Sequence, residues 1–272
     1  MKYKLIAVDL DGTLLGSDHK ISPENISAMK TLKELGVTII INTGRTYFEM
    51  PESVRNCKYV DCFICSNGTM IYGTDGSIKY KNCMPDAAFL QAFDTLCEYK
   101  TNMNIHDHGR TTIDADKASV ECFLEHNTSI YTAHAFLKFC DKVENFYNYY
   151  HQNLDIEQIC CYFKHEDEKE QCFSRLQNIK GIQTAASSKY NIEIFNADVS
   201  KGKAIVMIAN ALNIDMSEVI VAGDSLNDKP MFEVGAYGIA VANAMPQLKD
   251  TANETGCACD EHIMNYILKK KY

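Results

Sequence analysis

No apolar run in this sequence approaches the roughly 18 residues needed to cross a bilayer; stretches such as VTIII at 37–41 are far too short. No charged and apolar leader is visible at the N-terminus, so export is not expected. Positive charge is scarce: 27 Lys and Arg stand against 36 Asp and Glu, a formal net charge of −9. No basic face is left to attract nucleic acid or anionic lipid, and an anionic substrate must be met by local cations or a metal. Internal repeats and low-complexity linkers are also absent. A hydrophobic fraction of 46% in 272 residues suits a soluble chain of one large domain or two ordinary ones. The expectation is a cytoplasmic protein without nucleic-acid or membrane partners, its oligomeric state open.

Cysteine, by contrast, is plentiful, with 12 residues. A disulfide scaffold fits a short secreted chain and not this one, so these read as reduced core thiols. Cys62 and Cys65 form a CxxC, but DCFICS reads as a strand, where positions i and i+3 face opposite sides; a zinc or redox pair is not expected. The sequons at Asn67 and Asn253 carry no meaning without secretion.

Strands and helices alternate along the chain. LIAVDLD (5–11) reads as a buried strand, and Ser22-Pro23-Glu24 opens a helix that stops at Gly36. VTIIINTGR (37–45) is β-branched without alternation, as in a parallel sheet covered on both faces. CFICSNGTMIYG (62–73) reads as a third strand. The pattern resumes with a helix from Ser200 and the strands EVIVAGDS and YGIAVAN. This predicts an α/β fold, a doubly wound, Rossmann-like parallel sheet. Residues 82–190 differ, with amphipathic helices between alternating strands, and predict an inserted α+β module with one sheet face exposed. The expected division is thus 1–81 and 191–272 for the core and 82–190 for the insertion.

The strands end in polar clusters. Asp9 and Asp11, two apart on an extended strand, would project to one side. Ligands of open α/β sheets bind beyond the carboxyl ends of the strands, where NTGR (42–45) and GDSLND (223–228) also lie. Together these ends offer Asp, Thr and Asn oxygens, a set suited to a hard divalent cation such as Mg²⁺. An EF-hand does not fit, because Gly12 falls at loop position four and Lys20 at position twelve.

In this order, DLDGT, NTGR, Lys201-Gly202 and GDSLND resemble the four motifs of haloacid-dehalogenase-superfamily phosphatases. The long insertion between the third strand and Lys201 is similar to the α/β cap of the Cof-type branch. SNGT (66–69), SKGKAI (200–205) and NDKPMFEVGAYGIAVANA (227–244) echo that branch too. Thr69 departs from its usual alanine, and Val241-Ala242 from Met-Gly. The resemblance implies a Mg²⁺-dependent phosphatase of small phosphorylated metabolites, such as sugar phosphates, acting through an aspartyl-phosphate, with the cap closing over the site and setting specificity. It implies Asp9 as nucleophile, Asp11 as general acid and base, and Thr43, the Gly44 amide and Lys201 as phosphate contacts. Lys203 is the rival lysine, which the helix start disfavours. The Mg²⁺ ligands would be Asp9, the Asp11 carbonyl and Asp224, oriented by Asn227 and Asp228. Arg45, Asn67 and Asn243 would contact substrate. P-type pumps carry Thr where Asp11 stands, so Asp11 indicates turnover, whether by hydrolysis or, alternatively, by a hexose phosphomutase; a non-catalytic binding protein on the same fold is the third reading. His106 and His108, on an expected hairpin, read as a poor metal pair that could line the cap's substrate face. FYNYY (146–150) reads as helix packing.

Overall fold

A computed structural model describes residues 2–185 and 188–272. These described residues fall into two compact units, one within 1–45, 51–80 and 200–272 and the other within 46–50 and 81–199. Among the described residues no helix is long and apolar enough to cross a membrane.

The first unit is built on β1 (Leu5–Val8), β2 (Thr38–Asn42), β3 (Cys62–Cys65), β4 (Met70–Gly73), β5 (Ile78–Lys81), β12 (Val219–Gly223), β13 (Tyr237–Ala240) and β14 (Glu254–Thr255). Their order in the sheet is β14-β13-β12-β1-β2-β3-β4-β5. From β14 to β3 every pairing is parallel, with Leu5 facing Val219 on one side and Thr38 on the other. Leu5 to Val8 are fully buried, which explains the absence of alternation in their sequence. The expected third strand breaks in two: Ser66, Asn67 and Gly68 all have positive φ (47°, 55° and 105°), and this turn folds β4 antiparallel onto β3.

Two helices show their starts plainly. Pro23–Glu34 is capped by Ser22, whose Oγ accepts from Asn25 N at 3.1 Å. Lys201–Ala211 is capped by Ser200, whose Oγ accepts from Lys203 N at 3.1 Å. Gly202 is what lets the second helix sit so close to its neighbour: a Cβ there would stand 2.1 Å from the Pro230 carbonyl oxygen. Backbone cannot withdraw as a flexible side chain can, so Gly202→Ala is expected to destabilise the chain by about 3 kcal/mol, read as a lowered denaturant midpoint.

The second unit holds β6 (Thr101–Asp107), β7 (Arg110–Asp114), β8 (Asp141–Val143), β9 (Ile156–Phe163), β10 (Ile182–Ala185) and β11 (Asn191–Asn196), in the order β10-β11-β9-β6-β7-β8. Phe89, Phe93, Cys172 and Leu176, from helices Asp86–Cys97 and Glu166–Leu176, pack with Ile105, Ile159, Phe163, Ile192 and Ile194 of the sheet. Phe146 and Tyr150 of FYNYY join this core, as helix packing requires. β11 pairs with β9, Ile192 facing Cys161, so residues 191–199 belong to this unit and not to the first. Thr46–Met50 joins it as well, Phe48 N donating to Gly109 O at 3.0 Å.

The expectation of an exposed sheet face also needs correction, since β6 and β11 are buried throughout. Phe123, Ala133 and Phe136 of helices Val120–Glu125 and Ile130–Phe139 pack against Ile113, and Phe136 lies 6.2 Å from the Tyr162 ring. Asn102 donates to Cys122 Sγ on the same side.

Candidate active site

The strand ends of the first unit gather the acids, though not as a two-residue strand period would have it. β1 stops at Val8, and the next segment is irregular: Asp11 (φ −81°, ψ 126°) precedes Gly12 at φ 74°. Asp9 N still pairs with Ala222 O at 2.9 Å, which keeps Asp9 on the sheet while Asp11 leaves it. A Cβ on Gly12 would stand 2.8 Å from Asp224 Oδ2; glycine therefore serves both the positive φ and the close approach of the acid.

Asp9 (5% exposed), Asp228 and Lys201 (1%) make a buried ionic group. Lys201 Nζ donates to Asp9 Oδ1 at 2.7 Å and to Asp228 Oδ1 at 2.6 Å. Its backbone is anchored by Asn42, whose Nδ2 donates to the Lys201 carbonyl at 3.0 Å. Lys203 is exposed and takes no part. Asp228 Oδ2 accepts from the Asp224 and Ser225 amides at 2.9 and 3.1 Å. Thr13 Oγ1 donates to Asp224 Oδ1 at 3.1 Å.

Among the described residues, Asp9, Asp224 and Asp228 form a group whose carboxylate oxygens lie within 4.8 Å of one another. Three carboxylates around one ammonium leave two negative charges uncompensated. Burial, and then the Asp228 charge, accordingly raise Asp9 well above the usual carboxylate range, against the pull of Lys201. The same two causes push Asp224 up to about 6. Burial alone would lower the Lys201 pKa, but Asp228 and Asp9 outweigh it and hold the ammonium charged. A hard dication is the partner this all-oxygen set lacks, so the residues fit Mg²⁺.

The other expected residues fall into two groups. Thr43 is buried at the end of β2, its Oγ1 accepting from Arg45 N at 3.1 Å. A Cβ on Gly44 would stand 3.2 Å from Asn67 Oδ1, and Asn67 accepts from Asn227 Nδ2 at the same distance. Asn227 thus braces Asn67, with Ser225 Oγ donating to its Oδ1 at 2.6 Å, rather than orienting the acids. Asn243 is a strut, donating to Gly12 O at 2.8 Å and accepting from Cys259 N at 2.9 Å. The Asp11 carboxylate is not among the clustered oxygens; it is gripped by Arg45, whose Nε and Nη2 donate at 2.7 and 2.6 Å. Asp228, expected only to orient, lies inside the cluster. Thr13, in DGT, was not expected; Asn42, expected as one of the polar strand-end residues of NTGR, serves instead to anchor the Lys201 backbone.

In the second unit His106 is buried and His108 is largely exposed at the hairpin turn, which argues against a shared metal. None of the 12 cysteines, all among the described residues, is joined in a disulfide.

A buried lysine and clustered acids thus stand beyond the carboxyl ends of a parallel α/β sheet, where ligands of such sheets bind. Residues 6–267 match the sequence profile of the haloacid dehalogenase-like hydrolases, and the chain belongs to that family, in its Cof-type branch. It is an enzyme of the phosphatase class. Phosphatase YwpJ of Bacillus subtilis is 27% identical, covering 98% of this chain and 99% of its own length. An HMP-PP phosphatase of Yersinia pseudotuberculosis is 29% identical, with 91% and 86% covered. The structure of a haloacid dehalogenase-like hydrolase from B. subtilis superposes with a TM-score of 0.86 over 99% of this chain and 100% of the other; at 23% identity this likeness speaks to the fold.

Proposed function

We propose that the chain is a Mg²⁺-dependent phosphatase of small phosphomonoesters, sugar phosphates among them, working in the cytoplasm through an aspartyl-phosphate on Asp9. The observation that carries this reading is the buried Asp9–Lys201–Asp228 group with Asp224 beside it.

A carboxylate oxygen of Asp9 attacks phosphorus while the ester P–O bond breaks, and Asp11 gives its proton to the departing alkoxide. Asp11, now a carboxylate, takes a proton from water as the water oxygen attacks phosphorus and the Asp9–phosphorus bond breaks. Inorganic phosphate leaves and Asp9 is restored. Thr43 Oγ1, the Gly44 amide and Lys201 Nζ hold the phosphoryl oxygens, the helix Lys201–Ala211 adding its positive end. Asp9, Asp224 and the Asp11 carbonyl would hold the Mg²⁺, with Asp228 fixing the Asp224 backbone. Bound there, the ion neutralises the attacking carboxylate and the phosphoryl oxygens.

The test is phosphate release from a panel of phosphomonoesters, including sugar phosphates and nucleotides, with Mg²⁺ or with chelator. Release that needs Mg²⁺ is expected; no release from any of them with Mg²⁺ present overturns the reading. Metal also registers in stability. Asp224 is an acid whose folded pKa of about 6 exceeds its unfolded value. Metal-free protein therefore keeps this contribution near pH 4 and loses it as pH rises through 6. Mg²⁺ at 100 times its Kd is expected to add about 2.7 kcal/mol, with a larger Tm gain at pH 7.5 than at pH 5.

A further inference from the structure

We propose that Arg45 is a positioning residue for Asp11 and not a substrate contact. This deepens the proposed function and rests on its reading of Asp11 as proton donor and acceptor.

The geometry begins with a carboxylate that lacks a rigid seat. Asp11 lies beyond the end of β1, between Leu10 and a glycine at φ 74°, and its side chain is 43% exposed. Nothing in that irregular, half-open segment fixes the plane of the carboxyl group, and proton transfer requires a defined one. Arg45 supplies the missing constraint. Its Nε and Nη2 meet Oδ2 and Oδ1 at 2.7 and 2.6 Å, and such a paired contact sets the plane of the carboxylate as well as its position. Arg45 is itself well placed to impose this. Its amide donates to Thr43 Oγ1 at 3.1 Å, and its carbonyl accepts from Ser66 N at 2.9 Å. The guanidinium thus projects from backbone pinned at the end of β2. The two acids of DLDGT are separated by partner as a result: Asp9 turns to Lys201 and Asp11 to Arg45.

A residue acting through Asp11 leaves a specific kinetic signature. Its loss slows transfer of the phosphoryl group to Asp9 where the leaving group needs a proton and matters little to that first step where it does not, while the water step, common to all substrates, slows in either case. A substrate contact would raise KM, whatever the leaving group, and would do so with or without Asp11.

The experiment compares wild type, Arg45→Ala, Arg45→Lys, Asp11→Asn and the Arg45→Ala/Asp11→Asn double variant as full-length protein at saturating Mg²⁺. The substrates are the best alkyl phosphate of the panel and p-nitrophenyl phosphate, whose phenolate departs unprotonated. For Arg45→Ala we expect an alkyl phosphate kcat about 10²-fold lower, KM within about threefold, and on p-nitrophenyl phosphate a pre-steady-state burst of p-nitrophenolate close to the wild-type rate followed by slowed turnover. Arg45→Lys recovers part of the loss, because a lysine keeps the charge without the planar fork. In the Asp11→Asn background Arg45→Ala has little further effect. A p-nitrophenolate burst slowed as much as alkyl phosphate turnover, a KM rise, or an undiminished effect without Asp11 each overturn the proposal. An Asp11→Asn variant that hydrolyses the alkyl phosphate normally refutes the acid–base reading itself, and this proposal with it. Thermal melts accompany each variant, and Arg45→Lys carries the comparison should Arg45→Ala not fold.

Discussion

Asp9→Asn is expected to lower phosphate release by about 10⁴-fold or more on every substrate of the wild type, while leaving the metal-free fold at least as stable. The first effect follows from chemistry, since an amide of the same shape cannot attack phosphorus as a carboxylate does. The second follows from electrostatics. Asp9 is raised well above the usual carboxylate range by burial and by the Asp228 charge. For an acid whose folded pKa exceeds its unfolded one, ionisation opposes folding, and stability falls as pH climbs through that interval. Asparagine removes this contribution and leaves Lys201 its shorter bond, 2.6 Å to Asp228. In chelator at pH 7.5, the variant should therefore melt at or above the wild-type Tm, with a flatter dependence of Tm on pH. Activity within tenfold of wild type would remove Asp9 from the nucleophile's role. A Tm several degrees lower would mean that Lys201 depends on Asp9 more than on Asp228.

Much of this site is legible in the sequence because of where parallel strands end. Asp9 and Lys201 are 192 positions apart, yet their side chains meet at 2.7 Å. Uninterrupted apolar runs mark buried neighbouring strands, and a polar residue directly after such a run must lie at one edge of the sheet. Ser200 marks the helix start that brings Lys201 to that edge. None of this requires knowledge of a rotamer.

What escaped the sequence depends on backbone irregularity and on side-chain choice between partners. The two-residue period placed Asp9 and Asp11 together, but β1 stops at Val8 and Gly12 turns the chain. No pattern announces that Arg45 will select Asp11, or that Asn243 will use both ends of its amide on backbone 231 and 16 positions away. The strand run through 62–73 hides its own break, because Ser66 and Asn67 adopt positive φ without being glycine. NIEIFN (191–196) has the composition of either unit; only its ladder with β9 assigns it. The fully buried β6 defeats a period-two reading for a related reason. Asn102, Asn104 and His106 alternate with apolar residues as surface positions would, but they are buried as well.

Lys201→Met is expected to be the most destabilising single change at the site. The side chain is about the same length and packs in the same channel, so the loss is one of charge alone. Asp9 and Asp228 would then be buried acids without a cation, and removing one partner of such a group typically costs about 3–5 kcal/mol. At roughly 2–4 °C per kcal/mol for chains of this size, the Tm should fall by about 10 °C in chelator, and turnover should be lost. Lys203 cannot substitute from its exposed position two residues on, on the other side of the helix, and Lys203→Ala should behave like wild type. The decisive comparison is with Lys201→Met/Asp228→Asn. Neutralising Asp228 relieves the uncompensated charge, and an asparagine oxygen can still accept from the Asp224 and Ser225 amides that Asp228 holds at 2.9 and 3.1 Å. Most of the lost Tm should return. Activity should not, because the phosphoryl group still meets no ammonium. Recovery of both would mean that Lys201 serves only to neutralise Asp228. Recovery of neither would mean that the lysine is held there by packing, and that charge pairing contributes little to the fold.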